Sequence, residues 1–224
     1  YEDTWNGIKV YREKISTFRY KSMVGALKFP VYYNFWKKFL KKVISIEKDI
    51  NVVHAHDLVM VPVAQYLSKK MDVKLVFDFH ENYPYLIRDA KHTQSTLGKY
   101  LSDYRKWEKF EKSSIQDADA IITVVQEMKQ RIVDLGADDS KVHIYQNVPD
   151  LENVNVDAKG REVAGDFFNL VYAGGITPAR GLATVVEAIA LLPAKHKEKF
   201  TFTVCGTGSY EEEIKACLLY TSDA

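Results

Sequence analysis

The amino-acid sequence predicts an α/β protein with parallel, doubly wound sheets arranged in two domains. Along most of its length, short β-rich runs alternate with longer segments whose apolar residues recur at helical spacing. Polar or glycine-containing turns follow several of these strands, as is typical of the ligand-binding edge of a parallel sheet. This alternation indicates that each helix connects one parallel strand to the next.

The first predicted domain covers residues 1–150 and consists of strands joined by amphipathic helices. Strands are predicted at residues 7–12, 51–56, 74–79, 120–125 and 141–145. Helices are predicted at residues 30–48, 58–70, 96–116 and 127–135, the last of them closed by Gly136.

The second predicted domain begins near residue 167 and is organised around a glycine turn. A β-rich run leads into Gly174-Gly175, and a helix follows Arg180. Such a turn lets backbone N–H groups and a helix N-terminus approach a phosphate, and Arg180 would add a cation with a planar fork of donors. The alternative is an ordinary strand–helix connection with a surface arginine.

A second glycine loop, Gly206-Thr207-Gly208, follows a strand predicted at residues 200–205. We expect this loop to lie beside the first one on the same edge of the sheet. The second domain is predicted to span residues 167–216. The polar, glycine-containing segment 151–166 is predicted to be the linker between the two domains.

The two ends of the chain carry separate expectations. Residues 217–224, C-L-L-Y-T-S-D-A, resemble the translation of a sequencing-library adapter, and we expect them to be an artefact without a functional role. The chain begins at Tyr1 rather than Met, so the sequence does not decide whether a targeting segment precedes it.

The amino-acid composition limits the classes of protein to which the chain could belong. Hydrophobic residues make up 46% and charged residues 27%, which is typical of a globular protein in water. A net charge of +1 gives no overall field that would attract nucleic acid. Cys205 and Cys217 show neither metal-site spacing nor a disulfide framework, which favours a reducing cytoplasm.

Polar side chains gather where strands of the first domain end. His54, His56 and Asp57 close one predicted strand, and His80 and Glu81 follow the next. Ligands of parallel sheets bind at this edge, so these residues are candidates for a site. A buried structural histidine is the alternative for His80, and capping of the loop is the alternative for Glu81.

Two acidic or histidine-rich motifs raise the possibility of a metal site, and the sequence supports neither. The run His54-Ala55-His56-Asp57 lacks a convincing further ligand at suitable spacing. Asp117 and Asp119 imitate a D-x-D metal signature but precede a strand, which places them at the edge opposite the ligand side. We therefore expect no metal.

The helix predicted at residues 30–48 is basic as well as amphipathic. Lys37, Lys38, Lys41 and Lys42 flank its apolar stripe, and such a helix can lie on an anionic membrane surface. The favoured alternative is a helix packed on its own sheet with solvated lysines.

In combination, these motifs resemble those of retaining glycosyltransferases of the GT-B fold, in family four. The resemblance rests on F-F-N-L-V-Y-A-G-G-I-T-P-A-R-G, V-V-H-A-H-D, F-D-F-H-E-N-Y-P, A-D-A-I-I-T-V and N-V-P-D, and it covers nearly the whole chain. Gly175 stands where many members have a first arginine, so one phosphate contact of the family is missing. The resemblance implies two Rossmann-like domains, the first missing its N-terminal strand and the second truncated.

The resemblance also implies an activity and a set of site residues. It implies transfer of a sugar from a nucleotide-sugar donor to a glycan, lipid or small-molecule acceptor, with retention at the anomeric carbon and without cofactor or metal. Its implied residues are His80 facing the donor sugar, Gly174, Gly175, Arg180, Gly206 and Gly208 around the donor, and His56, Asp57, Glu81 and Asn147 in the cleft. We expect the chain by itself to be inactive.

Two other classes of enzyme share parts of this pattern. A nucleotide-sugar epimerase has the same architecture but needs catalytic acids that these motifs do not contain. A dinucleotide-binding oxidoreductase needs G-x-G-x-x-G after a strand, and Glu211 stands where its third glycine belongs.

Overall fold

The structure is a computed structural model that describes residues 2–90, 93, 95–149 and 167–222. It divides into two compact units, Tyr1–Pro149 and Asp150–Ala224. The linker predicted at residues 151–166 lies outside the described residues. The predicted artefact at residues 217–224 forms, as far as Ser222, the end of a helix.

A β-hairpin opens the first unit. Strands β1 (Glu2–Trp5) and β2 (Ile8–Tyr11) pair antiparallel around Asn6-Gly7, whose φ angles are +48° and +79°. Positive φ at both central residues is what a two-residue hairpin turn requires, and Asn-Gly is the pair that meets it most readily. Only the second of these strands was predicted from the sequence.

A four-stranded parallel sheet forms the centre of the first unit. Its strands are β3 (Val52–His56), β4 (Lys74–Phe79), β5 (Ala120–Thr123) and β6 (Val142–Ile144), and they lie side by side in chain order. All neighbouring pairs are parallel. The four strands predicted between residues 51 and 145 are confirmed, since apolar, β-branched runs of this length suit a buried parallel sheet.

Seven helices surround this sheet among the described residues of the unit. They are α1 (Thr17–Lys21), α2 (Val31–Ile46), α3 (Val61–Met71), α4 (Tyr83–Asp89), α5 (Thr96–Leu101), α6 (Tyr104–Ser114) and α7 (Gln126–Asp134). Gly136, with φ of +108°, donates its N–H to the carbonyl of Val133 at 2.8 Å, as a residue that closes α7 should.

Two helix predictions need correction. The single helix predicted at residues 96–116 is broken between α5 and α6, because the side chain of Asp103 accepts a hydrogen bond from the N–H of Arg105 at 3.0 Å and starts a new helix. Helix α4 was not among the predicted helices; it begins at Tyr83-Pro84 directly after Asn82, since proline is well suited to a first helical turn.

The core of the first unit lies between the sheet and its helices. Its largest fully buried side chains include Trp107, Phe77 and Phe79. Asp119 stands at the start of β5, where its side chain accepts hydrogen bonds from the Leu75 N–H at 2.9 Å and from Lys74 Nζ at 2.8 Å. This confirms the predicted place of Asp119 at the edge opposite the carboxyl ends of the strands.

The second unit contains a two-stranded parallel sheet, β7 (Phe168–Ala173) and β8 (Phe200–Cys205). Its helices are α8 (Leu182–Ala190), α9 (Ala194–Lys197) and α10 (Glu211–Ser222). Ile176, Leu182 and Ile214 form a small buried cluster. Strand β7, helix α8 and strand β8 were predicted in this order, and the short helix α9 between α8 and β8 is an addition. No helix within the described part of the chain is long and apolar enough to cross a membrane.

Candidate active site

Histidines and an aspartate meet at the carboxyl ends of β3 and β4. Side chains alternate along a strand, so His54 and His56 point away from the face on which Ala55 is buried. In the parallel register His56 is the partner of Asp78, and His80 follows the last residue of β4. Because both strands are fixed by buried neighbours, they hold these polar groups at one place on the sheet edge.

Asp78 lies at the centre of this group. Its Oδ2 is 3.3 Å from Nε2 of His54 and 3.2 Å from Nδ1 of His56, and its Oδ1 is 3.1 Å from Nε2 of His80. Burial alone would raise the pKa of Asp78, but the hydrogen bond from His80 and the charges of the three histidines outweigh burial and hold the pKa below its usual range. Asp78 is therefore a carboxylate that accepts from several donors.

His80 is held through both ring nitrogens. Nε2 faces Asp78, and Nδ1 lies 3.4 Å from the side-chain nitrogen of Asn147. The ring also packs against His56, with 4.3 Å between ring centres. With its proton on Nε2, His80 donates to the carboxylate and accepts from the Asn147 amide, so its orientation is set by two partners.

Asp57 occupies an unusual backbone conformation beside this group. Its φ of 62° and ψ of 153° fall in a region that is almost exclusive to glycine, which costs of order 1–3 kcal/mol. Its N–H donates to the carbonyl of Asp78 at 2.9 Å, and its Oδ2 lies 3.8 Å from Nε2 of His56. Its other carboxylate oxygen is buried and has no hydrogen-bond partner in the described structure.

Glu81 lies near Asp57, in the loop that follows β4. Burial raises the pKa of the Glu81 carboxyl, and the negative charge of Asp57 raises it further. The residue at the N-cap of α4 is Asn82, and its side chain makes no capping hydrogen bond. Capping of the loop by Glu81 stays an alternative prediction. Of the predicted cleft residues, the structure thus brings His56, Asp57, His80, Glu81 and Asn147 to one edge.

Asp78, the residue that joins the three histidines, was not predicted from the sequence. It lies between Phe77 and Phe79, two positions before His80, and the two-residue period of a strand places Asp78 and His80 on one face. That spacing was the available signal. His56, Asp78 and His80 each offer one ligand atom, and these atoms lie within 4.8 Å of one another, so they could hold a metal ion. The absence of a metal from the reaction stays a prediction.

The two glycine loops of the second unit lie side by side, which confirms the predicted placement. Gly174 N–H donates to the Cys205 carbonyl at 3.0 Å, and Ile176 N–H donates to the Thr207 carbonyl at 3.0 Å. A Cβ on Gly206 would stand 1.8 Å from the carbonyl oxygen of Gly174. A Cβ on Gly208 would stand 2.0 Å from that of Ile176, so the close approach of the two loops requires both glycines.

Gly175 and Arg180 face a different environment. A Cβ on Gly175 would meet no atom within 4 Å, so its surroundings are open. Arg180 ends the short turn Pro178–Arg180, and its side chain is exposed. Gly181, with φ of 69°, then begins α8 without a side-chain cap, which leaves the first N–H groups of that helix open to a ligand. The binding of a diphosphate here stays a prediction.

The model of one protein family matches the chain. This family is described as Glycosyltransferase Family 4, and the match covers residues 6–153. The residues of the histidine group all fall within the matched part. No curated protein matches the chain.

Several solved structures share its fold. Sucrose-phosphate synthase from Thermosynechococcus elongatus superposes with a TM-score of 0.60 at 13% identity, over 84% of this chain and 46% of that one. Anabaena Alr3699/HepE in complex with UDP gives 0.56 at 14% identity, over 83% and 49%. The lipopolysaccharide outer core galactosyltransferase WaaB gives 0.51 at 16% identity, over 91% and 46%. The chain therefore spans about half the length of these structures, and the likeness shows the fold.

Proposed function

The chain belongs to glycosyltransferase family 4, and on this premise we propose that it transfers a sugar from a nucleotide-sugar donor to an acceptor hydroxyl group. Its α/β architecture with parallel sheets is of the GT-B type shared with the solved structures. The observation that carries the proposal is the group of three histidines around Asp78, at the sheet edge where such folds bind ligands.

The proposed reaction retains the configuration at the anomeric carbon. The bond between that carbon and the diphosphate oxygen breaks, and a bond from the acceptor oxygen to the same carbon forms. The acceptor proton passes to a phosphate oxygen of the leaving diphosphate, so no protein carboxylate serves as nucleophile. Stabilising the negative charge of the leaving group is then the main task of the protein.

His80 is proposed to position the donor sugar. Its ring is 30% exposed and is held by Asp78 and Asn147, so its orientation is fixed before a substrate arrives. A sugar hydroxyl that reaches Nδ1 would replace the Asn147 amide, whose contact at 3.4 Å is long and easily exchanged. This supports a role in orienting the reacting carbon, since fixed geometry lowers the barrier for a displacement.

The leaving diphosphate is proposed to bind in the second unit. Gly174 and Gly175 keep backbone atoms accessible, and the uncapped start of α8 adds the positive end of a helix dipole. Arg180 contributes a full positive charge on the same strand–turn–helix connection. Gly206 and Gly208 support this arrangement by allowing the second loop to pack against the first. The Anabaena structure was solved with UDP, a ligand of the proposed class.

We also propose a cytoplasmic location with a peripheral contact between the basic helix α2 and the inner face of an anionic membrane. A groove beside α2 is lined by Glu13, Arg19, Val31, Asn34, Phe35, Lys38, Phe39 and Lys42. Phe18 and Tyr20 on α1 are 73% and 57% exposed and would enter the headgroup region. On the other flank of α2, the Nζ atoms of Lys37 and Lys41 lie 4.7 and 5.6 Å from the centre of the Tyr66 ring. These two lysines therefore fit a helix packed on its own domain better than a helix that lies on a membrane.

The test uses a full-length protein that contains this chain. It is incubated with UDP- and GDP-sugars, with and without candidate glycan and lipid acceptors, and release of the nucleoside diphosphate is measured together with the linkage of the product. Acceptor-dependent release with a retained anomeric linkage is expected. Epimerised sugar formed without any acceptor would support the epimerase instead, and an inverted linkage would contradict retention.

A further inference from the structure

The histidine group has the composition and spacing of a transition-metal site. Asp78 Oδ2 is 3.2 Å from His56 Nδ1, and Asp78 Oδ1 is 3.1 Å from His80 Nε2. Around tetrahedral zinc, with bonds of about 2.0–2.1 Å, neighbouring ligand atoms are about 3.3 Å apart. Each histidine therefore already stands near the separation from Asp78 that an ion would impose, and the ligand atoms of all three side chains lie within 4.8 Å of one another.

The backbone beneath these ligands is rigid. His56 and Asp78 are direct partners in neighbouring parallel strands. The residues beside them along the strands, Ala55, Phe77 and Phe79, are at most 3% exposed and anchor the strands in the core. Two of the three ligands thus come from sheet positions whose separation is set by the hydrogen-bonded ladder, which gives more precise placement than loops do.

Each candidate ligand has a further partner that would orient it around an ion. His56 would bind through Nδ1 and present Nε2–H to Asp57 Oδ2, now 3.8 Å away. His80 would bind through Nε2, and its proton would move to Nδ1, where the Asn147 amide could accept it after turning over. His54 Nε2 is 3.3 Å from the same oxygen of Asp78 and would hold the carboxylate in place. Metal-binding histidines usually have such partners.

The ligand types select the class of ion. Two imidazoles and one carboxylate suit zinc, cobalt or nickel, whereas magnesium and calcium prefer sites made of oxygen atoms. The side chain of His56 is 64% exposed and that of Asp78 14%, so one side of the group is open to solvent. An ion could enter from that side and keep a water molecule as its remaining ligand.

We propose that His56, Asp78 and His80 form a binding site for Zn²⁺, with His54, Asp57 and Asn147 orienting the ligands. Because His80 is also the residue proposed to position the donor sugar, a bound ion would inhibit transfer and take no part in its chemistry. An ion on Nε2 of His80 reorganises the contact with Asn147 and places a charge where the sugar would lie. This inhibitory consequence rests on the proposed function, whereas the binding of the ion does not.

The test measures metal binding directly on the chain after treatment with a chelator. Co²⁺ is titrated as a spectroscopic substitute, and the visible absorption of low-coordinate Co²⁺ is followed before Zn²⁺ is added to displace it. His56→Ala, Asp78→Asn and His80→Ala should each weaken binding by at least tenfold. Asp57→Asn, which changes a residue that does not touch the ion, should weaken it by about tenfold.

The matched control is His196→Ala, which removes an exposed histidine from α9 in the second unit. This variant should bind Co²⁺ and Zn²⁺ as the parent does. Circular dichroism of each variant confirms that it is folded, and His56→Ala is the most informative because its side chain is largely exposed. Unchanged affinity in folded His56→Ala or Asp78→Asn, or equal loss in His196→Ala, would show binding by scattered surface histidines and would overturn the proposal.

Discussion

Arg131 of α7 holds both carboxylate oxygens of Glu111 of α6, with 3.0 Å between Nη1 and Oε1. Glu111 is only 1% exposed, whereas the side chain of Arg131 is 23% exposed, so a buried carboxylate is paired with a partly buried guanidinium. A buried carboxylate left without its partner is costly, because its charge is desolvated and unpaired.

Removal of Arg131 is therefore expected to destabilise the first unit strongly. Arg131→Ala should lower the free energy of unfolding by about 3–5 kcal/mol, because it leaves a buried charge unpaired. The measurement is urea denaturation followed by tryptophan fluorescence, which Trp107 reports from the same core. Lys69→Ala is the control, since its ion pair with Asp117 is exposed and should contribute only about 0–1 kcal/mol. Equal effects of the two substitutions would contradict the assignment.

His80→Ala separates a catalytic role from a structural one in a full-length protein that contains this chain. If His80 positions the donor sugar, turnover should fall sharply while binding of the nucleoside diphosphate changes little. Melting temperature and turnover are measured on the same preparation. A variant that melts early but turns over normally while folded would show that His80 is a packing residue held by Asp78 and Asn147.

Arg180→Ala tests the proposed diphosphate site. A charge-assisted hydrogen bond is worth about 1.5–3 kcal/mol, so binding of UDP or GDP should weaken about tenfold or more in a full-length protein. Binding of the corresponding nucleoside, which lacks the diphosphate, should hardly change. Calorimetric titration of both ligands checks this. Equal affinity of variant and parent for UDP and GDP would contradict a diphosphate site at Arg180.

Gly206→Ala tests the close contact between the two glycine loops. The new Cβ would overlap the Gly174 carbonyl oxygen, so the loops must separate at a cost of about 1–3 kcal/mol. Hydrogen exchange at the amides of Gly174 and Ile176 should become faster, since both donate across the loops. Gly175→Ala is the matched control, because its Cβ meets open space, and it should leave exchange at Ile176 unchanged. Similar exchange in both variants would refute the packing argument.

Asp57→Gly should stabilise the chain and impair the site. Glycine adopts the backbone conformation of Asp57 without strain, which should raise the free energy of unfolding by about 1 kcal/mol. The substitution also removes the carboxylate beside His56, so transfer by a full-length protein should decline. Asp57→Ala provides the comparison, since it loses the same carboxylate and keeps the strain. Equal stability of the Gly and Ala variants would show that the backbone at residue 57 is not strained.

The parallel strands could be predicted from sequence because short apolar runs repeat between helical segments. The strand at Phe200–Cys205 was predicted to the residue, since a polar, glycine-rich loop follows it. The hairpin strand Glu2–Trp5 was missed because it is exposed on every residue and has no buried face to produce a pattern. Helices α5 and α6 were predicted as a single helix, because the side-chain cap at Asp103 does not interrupt the periodicity of the apolar residues.

The site was predicted less completely than the fold. Histidines at the ends of strands indicate the ligand-binding edge of a parallel sheet, and this pattern identified His56 and His80 as candidates. Asp78 was overlooked although His80, one of its partners, lies only two residues further along the chain. Its other two partners, His54 and His56, become visible only through the register between β3 and β4, which is a property of the folded sheet.

The chain-order arrangement of β3, β4, β5 and β6 has a consequence for the time at which the site is assembled. His56 and Asp78 lie on the first pair of these strands to be synthesised, whereas Asn147 follows the last one. Because a domain generally folds as a unit, we expect the group around Asp78 to be completed only after β6 and Asn147 have left the ribosome.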